Sequence, residues 1–400
     1  ANFDYDRFSG WFGGYYFNSE RTSSIVFSNS ISGLGLPAIP ADSTITAVSN
    51  TNPKTENYAF FGDMTFQVTD QVRLNLGARY DREQLRLNSS GSIESDPPSC
   101  IIAPFVPGFG GQLCTSLFPL EDEPPQSADF NAFLPRASVF YDVTQDISVG
   151  ILYARGYRAG GSYIFSTPSN PGVVEVLQFD PEFLDNYEVA LRSTWPQYNL
   201  TVNANVFYSD WSDQQVSIPG PSRTLFDVTI ANAGSSKIYG LEVEARADVT
   251  EVLSIFASLG ITESEFTDFR FAETGQFANL AGNEFNAAPN LTASTGFAYN
   301  QDEGLFFSGN VSYTGAQFSD VENLEGDRTE AYVLVNGRIG YRTSFGEVSL
   351  FANNLLNDRF FLNRFTQAID TETSDVIPTV PASFTVNDPR LWGVEARFAF

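Results

Sequence analysis

Along the last stretch of the chain, Trp392, Val394, Ala396, Phe398 and Phe400 alternate with Gly393, Glu395 and Arg397. Successive side chains of a strand point to opposite faces, so this period of two predicts a strand with one apolar and one charged face. Aromatic residues stand at both ends. From Trp392 to Phe400, at about 3.3 Å per residue and a tilt of about 45°, the strand rises roughly 19 Å, close to the gap between two interfacial aromatic girdles. A soluble sheet would cover the apolar face with a second layer, whereas a transmembrane barrel turns it to lipid and keeps the polar face for its lumen.

The same unit recurs upstream. Tyr58, Phe60, Gly62, Met64, Phe66 and Val68 alternate with Phe61, Asp63, Thr65 and Gln67. After a tight turn at Thr69-Asp70-Gln71, Val72, Leu74, Leu76, Ala78 and Tyr80 alternate with Arg73, Asn75, Gly77, Arg79 and Asp81. Similar pairs join Ala137–Val143 to Ile147–Tyr153, Tyr187–Leu191 to Leu200–Tyr208, and Tyr239–Ala245 to Leu253–Ile261. Leu291–Tyr299 with Leu305–Tyr313 and Val333–Tyr341 with Val348–Ala352 complete the series. Short connections near residues 70, 144, 197, 249, 302 and 345 alternate with long ones. The pattern predicts an all-β protein, a transmembrane antiparallel β-barrel with about 14 strands present. With the C-terminus at the periplasm, the short turns are periplasmic, the long loops extracellular, and Ala1 falls on the periplasmic side.

Three stretches lie outside this pattern. Phe8 to Asn18 is aromatic but has no clear period, so its faces are left unassigned. Ser19 to Thr55 and Asn88 to Asp129 are rich in turn-forming residues and are predicted to be loops, the second being the longest connection.

Composition narrows the chemistry. No apolar run approaches the roughly 18 residues a membrane helix needs, and only helices and closed sheets satisfy the backbone in lipid. A net charge of −26 disfavours nucleic acid as a partner. The absence of histidine removes His-based triads, His metal ligands and His general bases. Neither a catalytic constellation nor a cofactor or metal site is read. Cys100 and Cys114, both in the long Asn88 to Asp129 connection of an exported protein, are expected to form a disulfide rather than bind metal. The acidic stretches Glu121 to Glu123 and Asp320 to Asp327 lack calcium-loop spacing and are expected to be solvated. Gly108-Phe109-Gly110-Gly111 lacks the following Lys-Ser/Thr of a phosphate loop. Ala1-Asn2-Phe3-Asp4-Tyr5 has neither the basic start nor the apolar core of a leader.

Several motifs resemble those of the TonB-dependent receptors of the Gram-negative outer membrane. Tyr153-Ala154-Arg155-Gly156-Tyr157-Arg158-Ala159-Gly160-Gly161 resembles that family's Y-x-R-G-F-[KR]-x-G-G strand exit. Asn353-Asn354-Leu355-Leu356-Asn357-Asp358-Arg359-Phe360-Phe361 resembles N-N-L-F-D-K-R-Y-Y, and Pro389-Arg390-Leu391-Trp392-Gly393 resembles P-R-x-[YW]-G. Pro181-Glu182 with Tyr187-Glu188, and Asn232-Ala233-Gly234 with Tyr239-Gly240-Leu241-Glu242, also fit. The resemblance implies a barrel of about 22 strands around an N-terminal plug, preceded by a segment that contacts TonB. Residues 1–400 are then expected to be the C-terminal portion of such a barrel, without the plug. The final strand, with Trp392, Phe398 and the terminal Phe400, also resembles the insertion signal read by the barrel-assembly machinery.

On this reading Arg73, Arg79, Arg136, Arg192, Glu242, Glu244, Arg246, Arg338, Glu395 and Arg397 face the lumen, pairing with neighbours or a plug, or binding a solute. The candidate extracellular contacts for a solute are Tyr157, Arg158, Tyr163, Phe165 and Trp211, with loop packing as the alternative role. Expected partners are outer-membrane lipid and lipopolysaccharide, the barrel-assembly machinery, the TonB complex through a segment outside this chain, and a small-molecule solute. The function implied is energised import of a scarce solute such as a ferric siderophore, cobalamin or glycan. A self-contained passive channel of about 14 strands is the alternative, and an outer-membrane hydrolase is disfavoured by the missing histidine.

Overall fold

The alternation of the sequence becomes two faces through strand register. The computed structural model describes residues 1–30, 44–96, 100–103, 111–114, 118–120, 126–166, 174–219, 228–232, 234–273, 276–365 and 383–398. Seventeen strands pair in one antiparallel sheet. Three of them, Asn2–Tyr5, Ser23–Ser30 and Phe118–Leu120, are short additions, which leaves fourteen that form a continuous wall. In chain order these are β1 (Phe8–Glu20), β2 (Thr44–Gln67), β3 (Val72–Asp96), β4 (Gln126–Asp142) and β5 (Ile147–Arg158). Then come β6 (Glu182–Trp195), β7 (Leu200–Ser212), β8 (Ser235–Asp248), β9 (Leu253–Asp268) and β10 (Leu291–Tyr299). The last are β11 (Gly304–Thr314), β12 (Tyr332–Thr343), β13 (Gly346–Asn353) and β14 (Leu391–Phe398).

Each strand pairs with the next. Asn2–Tyr5 flanks β1 at one side of the sheet, and it is not paired with β14 at the other side among the described residues.

Among the described residues, the expected apolar positions lie on the outer face. Phe60 is 72% exposed, Ile151 66% and Val394 65%, values that make sense only for a face turned to lipid. Tyr153, Tyr187, Tyr208 and Tyr239 are register partners across β5 to β8 and form a row of phenols above the apolar band. Tyr141, Tyr299, Tyr341 and Phe398 mark its other edge, beside the short turns. Three of those turns share one local device. The hydroxyls of Thr69, Thr144 and Thr250 accept N–H bonds from residues two or three further on, so a single threonine closes each hairpin.

The inner face packs aromatic rings on glycines of the adjacent strand. A Cβ added at Gly296 would meet the Phe256 ring at 2.6 Å, and one at Gly393 would meet Phe351 at 2.8 Å. Only glycine admits that approach, and the ring covers backbone that would otherwise be bare.

Four expectations are corrected. The stretch from Ser19 to Thr55 is largely strand, because β1 runs to Glu20, Ser23–Ser30 pairs with β2, and β2 starts at Thr44. Between Asn88 and Asp129, β3 continues to Asp96, Cys100–Ala103 pairs with Gly111–Cys114, and β4 begins at Gln126. Cross-strand pairing satisfies the backbone here, so polar composition alone does not mark a loop. The acidic stretch at Asp320 is packed rather than solvated, with Val321 2% and Asp327 5% exposed. Finally, Ala1 lies within the wall and not at its periplasmic rim, since its ammonium group donates to the Phe12 carbonyl at 2.7 Å, well above the Thr69 turn.

Register also assigns the first strand. Trp11, Tyr15 and Phe17 share the inner face with Asp63, while Phe12 and Tyr16 face lipid. Aromatic residues on both faces erase the period that identifies the other strands.

Candidate functional site

The wall carries a polar inner surface and, at the end away from the short turns, a crown of long connections, and the candidate residues divide between them. On the inner face of β2 to β4, charges are paired within the wall. Arg136 donates to Asp63 at 2.8 Å through Nε, and Arg79 donates to Asp81 at 2.6 Å. Asn57 bonds Asp81 and reaches Glu83 at 3.3 Å. Arg73 stands 5.7 Å from the Phe140 ring, and Arg79 lies within 5.7 Å of the rings of Tyr15 and Phe61. Even the neutral groups bond to one another here: Thr65 donates to Asn75 at 2.9 Å, and Asn75 to Ser138 at 3.0 Å.

A second charged group lies on β12 to β14. Arg338 bonds Ser349 and Glu395, Arg397 donates to Glu395 at 2.7 Å, and Arg342 donates to Glu347 at 2.9 Å. Arg192 donates to Asn205 at 2.6 Å, and Arg246 lies 3.7 Å from Asp248. Glu242 and Glu244 are exposed on this face and form no ion pair among the described residues.

Where the strands leave the membrane, motifs that are far apart in sequence meet. Arg158 and the buried Glu182 are joined at 2.8 Å, and the same carboxylate accepts the Gln215 N–H at 2.5 Å. Arg158 also donates to the Gln215 carbonyl at 2.9 Å, and Asn232 ties Asp180 to Asp213. A matching clamp forms at the other end of the sheet. Asn354 donates to the carbonyls of Asp358 and Asp388, Asn387 donates to the Asp358 carbonyl, and Arg390 donates to that of Leu355. The sequence motifs thus mark the points where chain ends of strands are fastened to one another.

Above these clamps, each long connection carries a two-stranded hairpin of its own or extends the wall. Several connections share an apolar core made of Val216, Phe266, Phe269, Leu280, Phe285 and Val321. Trp211 packs against it, 6.1 Å from Phe285. Burial raises the Asp320 carboxyl above its ordinary value, against the Val321 N–H donated to it at 2.6 Å, and Asp327 adds to the rise.

The five candidate solute contacts therefore occupy different environments. Arg158 is engaged in a clamp, Trp211 lies beside the crown core, and Tyr157 packs on Phe183 at 5.4 Å with its hydroxyl buried and without a hydrogen-bond partner among the described residues. Tyr163 and Phe165 lie on the hairpin Gly161–Ser166, which pairs with Val174–Phe179, and their side chains fall outside the described residues. Cys100 and Cys114 are register partners, but their sulfur atoms also fall outside the described residues and no disulfide is present among those described. Trp392 and Phe398 are exposed on the outer face, and Phe400 lies beyond the described residues.

A family model described as TonB dependent receptor-like, beta-barrel, matches residues 1–355. The pesticin receptor of Yersinia pestis is 24% identical over 322 residues, covering 79% of this chain and 42% of that protein. A probable TonB-dependent siderophore receptor, PiuA of Acinetobacter baumannii, is 23% identical over 198 residues, covering 48% of this chain and 25% of that protein. Among solved structures, the ferric yersiniabactin uptake receptor FyuA from Yersinia pestis aligns with a TM-score of 0.72 at 20% identity, over 99% of this chain and 52% of that chain. The siderophore receptor PiuA from Acinetobacter baumannii aligns with a TM-score of 0.67 at 16% identity, over 99% of this chain and 54% of that one. At these identities the structural likeness carries the fold, and the chain spans about half the length of those structures and less than half of the curated relatives.

Proposed function

The chain belongs to the TonB-dependent receptor family, within its β-barrel, and on that premise we propose that the protein containing it imports a ferric siderophore by TonB-coupled transport. This is a family of transport receptors rather than enzymes, and its barrels lie in the Gram-negative outer membrane. The observation that carries the reading is the match of the family model to residues 1–355, most of a wall with an apolar outer face and a polar inner one. Ferric chelates are favoured over cobalamin and glycans because PiuA is named as a siderophore receptor and FyuA as a ferric yersiniabactin uptake receptor.

In this reading the crown receives the chelate. Tyr157, Tyr163 and Phe165 supply aromatic contacts, while Arg158 and Trp211 hold the crown in shape. The charged inner face meets a plug contributed by a part of the protein outside this chain, and TonB acts through that part. The outer face meets lipid and lipopolysaccharide, and the end of β14, with Trp392, Phe398 and Phe400, is recognised by the assembly machinery. Cys100 and Cys114 form a disulfide on the oxidising side of the membrane, supported by their opposed positions across the hairpin. Thiol labelling of the unreduced protein tests that bond, and two reactive thiols contradict it.

Planar-bilayer recording of the full receptor tests import against the passive channel. A silent resting membrane supports the plugged importer, and a steady single-channel conductance rejects it.

A further inference from the structure

The inner wall is not uniform. Across three consecutive strands, β9 to β11, the inward positions carry no charge: Ser254, Phe256, Ser258, Gly260 and Thr262, then Thr292, Ser294, Gly296 and Ala298, then Phe306, Ser308, Asn310 and Ser312. Register aligns them into rows. Ser258, Ser294 and Ser312 are successive partners, and so are Phe256, Gly296, Asn310 and Asn336.

These polar groups are also left open. The hydroxyls of Ser258, Ser294, Ser308 and Ser312 make no side-chain hydrogen bond among the described residues, and Asn310 takes part only in a long 3.4 Å contact from Asn336. On the β2 to β4 wall the same residue types, Thr65, Asn75 and Ser138, bond one another. The open stretch borders a recess of about 470 Å³, lined by Phe256, Ser308, Asn310 and Phe351 and, on its β12 to β14 side, by the paired Arg338 and Glu395. That volume lies within the range of small-molecule sites, roughly 300–1,000 Å³.

Resting on the importer reading, we infer that the inner face of β9 to β11 is the track along which the chelate crosses the barrel. Its Ser and Asn groups, with the Phe256 and Phe351 rings at the recess, form a transient subsite for a compact, oxygen-rich metal chelate. A permeating solute has to find partners that replace its water, yet bind weakly enough to release it. Unpaired hydroxyls and amides exchange hydrogen bonds with chelate oxygens, and the two charges that line the recess, Arg338 and Glu395, are paired with each other. The β2 to β4 stretch of wall offers little of this, since its carboxylates and guanidinium groups already bond each other.

The test uses the full receptor with Ser294→Cys on the track and Ser138→Cys on the charged wall, each labelled with a bulky maleimide during active transport. Ser312→Cys serves as a second track variant should Ser294→Cys fail to insert. The unlabelled variants and the labelled parent receptor are controls. Uptake of a radiolabelled ferric siderophore is expected to fall at least tenfold with label on the track and less than twofold with label on the charged wall, with surface binding unchanged. Equal loss at both walls, no loss from the track label, or a track cysteine that cannot be labelled during transport would overturn the track. So would a parallel loss of surface binding. Absence of TonB-dependent uptake by the unlabelled parent would instead reject the importer reading.

Discussion

The two halves of the wall are stiffened by different forces. From β1 to β4 the inner face is held by directional contacts, including Asp63 with Arg136, Arg79 with Asp81, and arginines over Phe140, Phe61 and Tyr15. Above the membrane that half continues as a backbone ladder, with β2 and β3 paired residue by residue from Gln67 and Arg73 up to Thr44 and Asp96. From β9 to β11 the inner face is open and uncharged, and rigidity comes from the apolar core of the crown around Phe266 and Phe269. A barrel can thus leave one stretch of lumen unpaired when the strands beneath it are tied together from above. The two halves should therefore fail differently.

The largest effect is expected in the crown. Phe266 is 1% exposed and packs within 5.0 Å of both Phe269 and Phe285, so Phe266→Ala should cost about 3–5 kcal/mol locally. Hydrogen exchange in detergent should speed up over residues 264–288 and 316–329 and stay unchanged over β2 and β3. A uniform rise across both halves would show that the crown is not a separate support.

The lipid face should not distinguish the halves at all. Ile151→Arg on β5 and Val243→Arg on β8 each place a charge on the outer face and should each cost roughly 2–4 kcal/mol in a refolding equilibrium. Glu244→Gln, next to Val243 but turned inward and without an ion pair among the described residues, should change stability by less than about 0.5 kcal/mol. Equal sensitivity at positions 243 and 244 would mean the assigned faces are wrong.

A smaller effect separates the inner walls. Asp63→Asn removes a pair whose arginine side chain is 59% exposed, so solvent screening limits the loss to about 1 kcal/mol. High salt should shrink that difference, while Asn310→Ala on the uncharged wall should show no salt dependence. Urea unfolding at low and high salt checks both.

The smallest concerns acidity. Because burial raises the Asp320 carboxyl above its unfolded value, the folded crown binds this proton more readily than the unfolded chain does. The crown should gain stability as pH falls from neutral through the raised value, and Asp320→Asn should abolish that gain. Exchange rates over residues 319–329, corrected for intrinsic pH dependence, provide the readout; slower opening at neutral pH would contradict the sign.

Much of the wall was legible because lipid imposes a contrast that period two reveals directly, as at Val394 against Glu395. The contrast vanished where both faces are aromatic, at Trp11 and Phe12, and where both are polar, as in Ser19 to Thr55. There the decisive quantity is backbone pairing, and side-chain polarity does not report it. Arg158 and Glu182 were recognisable as motif residues, but their meeting with Gln215 depends on register across β5 and β6 and on the following connection. The open track was missed for a related reason. Ser294 and Ser138 look alike in sequence, and only the three-dimensional neighbours distinguish a serine that accepts a bond from one that makes none.

Uptake of a radiolabelled ferric siderophore by cells producing the full receptor, with and without TonB, tests the central claim most directly. Loss of uptake with retained surface binding when TonB is removed is the predicted result, and uptake that continues at the same rate without TonB would contradict it.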